Sequence, residues 1–123
     1  MLTVKKIVWE TNFNNKLGCN AFLHIDLAPV QKPTYRLLDN TLIEIETADG
    51  SYEPVKAKVY GILFISANRL PDSFALASHG IRAKELEDIL NKTYGDIVVK
   101  QRGVAVYMYH KNLEPQYKGV LYD

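Results

Sequence analysis

One cysteine, Cys19, among 123 residues excludes an internal disulfide and leaves no paired spacing of the kind a zinc site needs. Charge of neither sign prevails: 15 Lys and Arg stand against 14 Asp and Glu, a formal net charge of +1. No overall field therefore draws the chain onto nucleic acid, and any such binding needs a local patch. Long apolar runs are missing too: none approaches the ~20 residues that span a bilayer. Met1 to Glu10 carries Lys5 and Lys6 but no apolar core of a secretory leader. These absences point to a cytoplasmic protein with no membrane partner, no cofactor and no metal. Tryptophan is scarce as well, with Trp9 alone, which reads as a core residue.

What is present suits one globular domain over residues 1–123. The 47% hydrophobic and 24% charged content is ordinary, and the length suffices to bury a core. Val4–Thr11 alternates as a strand, with Ile7 and Trp9 on one face. Asn12, Asn14 and Asn15 end it in a loop, because Asn tolerates turn conformations. Gly18 is expected to supply a backbone angle other residues avoid. Phe22–Leu27 alternates again as a strand. Ala28–Asp39, with Pro29 and Pro33, is a connector that cannot be a central strand, and Asp39-Asn40 is a turn.

Thr41–Thr47 reads as a strand with Ile43 and Ile45 inward, followed by a turn around Asp49-Gly50. Pro54–Ser66 is the longest strand signal. Val55, Ala57, Val59, Leu63 and Ile65 fall on one face and Tyr60, Ile62 and Phe64 on the other, with a possible bend at Gly61. Asp72 or Ser73 caps a short helix over Phe74–Ser78 that stops at Gly80. Arg82–Tyr94 is the clearest helix, with Leu86 and Leu90 on its apolar face and Gly95 as its stop. Asp96–Lys100 reads as a short strand, Gln101-Arg102-Gly103 as a turn and Val104–His110 as a strand. Residues 110–123 are an edge strand or a loose tail. The order predicts an α+β fold: a small, mostly antiparallel β-barrel flanked by a short helix and one longer helix.

Candidate chemistry concentrates in the first third. His24 and Asp26 share one face of their strand, because strand side chains repeat every two residues. They suit general base work or metal ligation, or they are two solvated residues on a polar face. A three-ligand metal site with His79 has no spacing to support it. Cys19 is a nucleophile or, more simply, a buried small hydrophobe. Gly80-Ile81-Arg82 at a helix start offers backbone N–H groups and a guanidinium to a phosphate, or is an ordinary helix start. Tyr107, Tyr109, Tyr117 and Tyr122 interleave with Lys111 and Lys118, as a base-stacking surface or as sheet-forming tyrosines.

Phe13-Asn14-Asn15-Lys16-Leu17-Gly18-Cys19-Asn20-Ala21-Phe22, running into Ile25 and Leu27, resembles the opening motif of ASCH-domain proteins in the PUA-like superfamily. The likeness continues in Asp39–Glu46, a turn and strand, and in Ser78-His79-Gly80-Ile81 through Tyr94, a small-Gly turn and a helix. It spans roughly Val4–His110. The resemblance implies a small β-barrel with a cleft against the helical segment, and an RNA- or nucleotide-binding module. Lys16, His24, Asp26, His79 and Arg82 are the candidate ligand-binding residues, and His24 and Asp26 the candidate catalytic ones. Amidohydrolase-like members carry a Lys-Thr-x-Thr-x-Arg run. Here Ala21–Asp26 stands in that place, or Asn20–Ile25 if Gly18 sets the register, and the lysine, threonines and arginine are absent in both. Two alternatives stay open: a small hydrolase acting on a modified nucleoside, and a protein-interaction domain that has lost ligand chemistry.

Overall fold

Sequence alternation builds the sheet where it is strongest. The computed structural model describes residues 3–31 and 41–111. Among them, strands β1 (Thr3–Trp9), β2 (Ala21–Leu27), β3 (Thr41–Thr47), β4 (Val55–Ile65) and β5 (Val104–His110) form one sheet in the order β1-β3-β4-β5-β2. β1 pairs parallel with β3, and the other three neighbouring pairs are antiparallel. The fold is thus α+β with a mostly antiparallel sheet. That sheet is open among the described residues: β1 and β2 are its two ends, and no ladder joins them into the expected closed barrel.

Both faces of the sheet are covered. On one face Trp9, Phe22, Ile43, Ile45, Val59 and Tyr109 pack together with Leu17 from the β1–β2 connection. On the other, Ile25, Val104 and Val106 meet the helices through Ala75, Leu86, Leu90 and Val99. β4 serves both cores, and an irregularity between Val59 and Gly61 in its ladder with β5 explains how. One extra residue there reverses the alternation. Val59 faces Tyr109 and Ile62 faces Tyr107, so Ile62 joins the face of Val55, Ala57 and Val59. This corrects the expected assignment of Leu63 and Ile65 to that face; Ile65 packs on the helical side. A side chain at Gly61 would meet Met108 Sδ at 2.9 Å.

Three α-helices follow β4 among the described residues: α1 (Asp72–His79), α2 (Ala83–Tyr94) and α3 (Asp96–Arg102). Gly80 closes α1 in the left-handed conformation at φ 72°, as its sequence position predicts. Asp72 does not cap its own helix, whose N-cap position is Pro71. Its Oδ1 accepts the Ala83 N–H at 2.9 Å, at the start of α2. The helix α3 replaces the expected strand at Asp96–Lys100. Gly95, at φ 94° and ψ 137°, ends α2 and restarts the chain. Val99 then donates to Gly95 O at 3.1 Å and buries its side chain in the helical core, so packing overrides the β-branched run Ile97-Val98-Val99.

The turn after β1 is built on asparagine. Asn14 and Asn15 take left-handed φ values of 57° and 54°. Gly18 is not among the positive-φ residues, so the unusual angles expected of it belong to the two asparagines instead. Residues 32–40, with Pro33 and the Asp39-Asn40 turn, and residues 112–123, with Tyr117, Lys118 and Tyr122, lie outside the described residues.

Candidate functional site

Two neighbouring features meet at His24: a buried polar cluster on one side and a cavity on the other. The cluster begins with the asparagine turn (Phe13–Gly18), which docks on the C-terminal end of α1. Asn14 Nδ2 donates to the carbonyls of Leu76 and Ala77 at 3.0 and 3.2 Å. Helix ends leave such carbonyls without partners, so the turn caps α1. Lys16 follows in the same turn and is 3% exposed. Its Nζ donates to Ser78 O at 2.5 Å and approaches Ser78 Oγ at 3.4 Å and His24 Nδ1 at 2.8 Å. An ammonium has three N–H groups, and this cluster supplies three acceptors. The negative end of the α1 dipole adds to their pull.

Ser78 is the hinge of the cluster. It is fully buried, and its Oγ accepts the Ile25 N–H at 2.8 Å, satisfying an outward backbone donor of the end strand β2. The same hydroxyl lies 2.8 Å from His79 Nδ1. With Ile25 donating to it, the hydroxyl proton goes to His79, whose Nδ1 is then an acceptor. The aromatic groups close around these polar ones. His24 stacks on Trp9 with ring centroids 3.9 Å apart and planes 15° apart. His79 lies 4.6 Å from Phe13 and 5.1 Å from His24, and Lys16 Nζ sits 4.9 Å from the Trp9 ring centre.

Burial sets the protonation of all three bases. It pulls the Lys16 amine down to about 7 from 10.5. It holds His24 well below its ordinary 6.5, with the charge of Lys16 adding to the effect. His79 falls to about 4 for the same two reasons. Both imidazoles are therefore neutral at neutral pH. The Lys16 ammonium donates to Nδ1 and so places the His24 proton on Nε2; the neutral amine can accept from Nδ1–H instead.

The cavity, of about 440 Å3, lies on the face of the sheet opposite the helices, its inner face, and residues of all five strands line it. Its size falls within the roughly 300–1,000 Å3 typical of small-molecule sites. Trp9, Tyr107 and Tyr109 give it aromatic walls, and His24 and Asp26 its main polar groups, with Lys5, Gln31 and Thr41 also lining it. Asp26 Oδ1 accepts the Tyr94 hydroxyl at 3.0 Å and the Leu27 N–H at 2.7 Å.

The five expected ligand residues thus divide. Lys16, His24 and His79 form one cluster. His24 and Asp26 line the cavity, which Lys16 and His79 do not reach. Arg82 stands apart, exposed at the N-cap of α2, and does not line this cavity. A smaller cavity, of about 290 Å3, lies against α1, lined by Lys16, Phe22, Leu23 and Ala77 among others. Cys19 is exposed, against its expected burial, because it follows the turn at the surface. Tyr107 and Tyr109 turn inward; Tyr109, 5% exposed, belongs to the core. Among the described residues no three His, Cys, Asp or Glu side chains converge as metal ligands. Sequence reasoning missed Ser78 and Tyr94, whose bonds to β2 span 53 and 68 positions and leave no local signal. No family model, no curated protein and no solved structure matches this chain.

Proposed function

We propose that the protein is a binding module of the PUA-like type that holds a nucleobase or nucleoside-like ligand in the cavity of the inner sheet face. One observation carries this reading: Trp9, Tyr107 and Tyr109 wall a cavity that also presents His24 and Asp26. Aromatic walls suit a planar ring, and a few placed polar groups fix its orientation. The near-neutral charge favours a small ligand over a long nucleic-acid backbone, which is held mainly by basic residues. In this reading the strands curve around the ligand as a PUA-like barrel would.

Trp9 makes the test direct, since the only tryptophan of the chain lies in the cavity wall. Nucleosides, nucleotides and short RNAs are titrated while Trp9 emission and the melting temperature are followed. Saturable change in both, lost in His24→Ala, supports the reading, because a ligand of the folded state must raise the melting temperature. A flat response from a folded protein overturns it in favour of the protein-interaction alternative.

A second reading, a small hydrolase acting on a modified nucleoside, is favoured by the Lys16 amine, poised at about 7 behind His24. A base of that strength accepts a proton readily at neutral pH. In this reading the neutral Lys16 amine accepts from His24 Nδ1–H, which leaves Nε2 of the cavity-lining imidazole free to take the proton. Release of the acyl or amino group from a modified nucleoside, abolished in a folded His24→Ala variant, would establish it.

A further inference from the structure

Two polar atoms of β2 side chains that line the cavity have no partner among the described residues. His24 is 6% exposed, and its ring is bonded only through Nδ1, to Lys16. When the Lys16 ammonium donates to Nδ1, the His24 Nε2–H is a nearly buried donor with no acceptor among the described residues. Asp26 uses Oδ1 twice, for Tyr94 and for its neighbour Leu27, and leaves Oδ2 unengaged. Leaving a buried donor unpaired costs free energy, so an unpaired group aimed into a cavity calls for a partner there.

The two groups are of opposite kind and sit two residues apart on one strand face, both lining the cavity. We infer, resting on the binding role proposed above, that the ligand is an uncharged planar nitrogen heterocycle whose edge sets an acceptor beside an N–H donor. The acceptor meets His24 Nε2–H and the donor meets Asp26 Oδ2. Such an edge belongs to amino-substituted azines and to ring amides. A phosphate at this end is repelled by the carboxylate. A guanidinium or amidinium satisfies Asp26 but offers only donors to His24, whose Nε2–H needs an acceptor. Lys16 is the positioning residue: by donating to Nδ1 it fixes which ring nitrogen of His24 faces the cavity. Tyr94 does the same for Asp26 by occupying Oδ1.

The test uses two pairs of probes that differ in the N–H donor: uridine with N3-methyluridine, and cytidine with N4,N4-dimethylcytidine. Each is titrated against the intact protein and against Asp26→Ala, with Trp9 emission as the signal and a melting curve as the check on folding. The wild type should bind at least one parent about tenfold or more tightly than its methylated partner, the scale of a hydrogen bond to a charged group. In Asp26→Ala the parent should weaken to the level of the methylated probe, so that the difference within the pair disappears. Should Asp26→Ala not fold, Asp26→Asn carries the same test: its amide oxygen keeps Tyr94 and Leu27 while its amino group faces the donor. A difference that persists in the folded variant is steric and overturns the inference. So does equal binding of parent and methylated probe by the wild type; in both cases the binding role itself stands. No response of Trp9 to any probe overturns the binding role and the inference together.

Discussion

The Tyr94 hydroxyl donates to Asp26 Oδ1 at 3.0 Å across 68 positions of sequence, joining the last residue of α2 to the cavity wall. The bond ties a helix on one face of the sheet to a side chain that serves the other. Tyr94→Phe should leave the fold intact, at a cost of about 0.5–1.5 kcal/mol for one lost hydrogen bond. Asp26 then gains freedom to rotate, and affinity for a cavity ligand should fall roughly threefold to tenfold. Paired urea melts and Trp9 titrations separate the two effects. Unchanged affinity would mean that Tyr94 does not position Asp26.

Stability should rise with pH from acid to alkaline conditions. His79, at about 4 in the fold, and His24, well below 6.5, both regain protons on unfolding below 6.5. The Lys16 amine, at about 7 in the fold, is protonated in the unfolded chain up to 10.5. In both windows the unfolded chain binds more protons, so raising the pH favours the fold. For Lys16 the gain between pH ~7 and ~9.5 is on the order of 3 kcal/mol. Urea midpoints measured across that interval should climb, and a flat or falling profile would contradict the burial of Lys16.

Lys16→Met isolates that contribution. Methionine fills the volume without a charge, so the rise between pH ~7 and ~9.5 should vanish in the variant. Relative to the wild type the variant should stand better at the lower pH than at the higher. Its absolute stability also reflects the acceptors it strands, His24 Nδ1 and Ser78 O. The slope, not the midpoint, is therefore the quantity to compare.

Ser78→Ala should be costly for so small a change. It leaves the Ile25 N–H without its acceptor and removes partners of Lys16 and His79. A buried backbone donor left unpaired costs roughly 1–3 kcal/mol. Amide exchange at Ile25 should quicken by more than the global loss of stability predicts. Exchange that tracks global stability alone would show that Ser78 does not protect the end strand.

Gly103→Ala should destabilise more than Gly50→Ala, although both glycines have positive φ, 73° and 69°. A side chain at Gly103 would meet Ile65 O at 2.9 Å, whereas nothing lies within 4 Å of one at Gly50. Gly103 also has ψ −167°, a region open essentially to glycine alone, so backbone strain adds to the collision there. The difference between two urea melts measures the two together.

Much of this architecture was legible because alternation and turn chemistry coincide. Thr41–Thr47 and Val104–His110 are strands over the bounds that their sequence marks. Gly80 and Gly95 stop helices as glycines do. The failures have one physical source, tertiary contact overriding local preference. Ile97-Val98-Val99 favours a strand by side-chain shape, yet it forms a helix because Val99 finds a place in the helical core. At the site, the period of two placed His24 and Asp26 on one face, and the cavity lies there. Lys16 was visible as a residue, but its burial was not, since that depends on carbonyls of α1 that the sequence places 62 positions away. Trp9, read only as core, is both core and cavity wall.

The irregularity in β4 bears on how the molecule comes apart. Val55, Ala57 and Val59 anchor the strand in one core, and Ile65 reaches the other, along a single unbroken segment. Neither core can dissolve without dragging the shared strand out of its companion. The two halves are therefore yoked into one cooperative unit, and the cavity wall and helical layer should melt in a single transition. A ligand bound at the inner face would therefore stabilise the helices on the outer face against global unfolding as well.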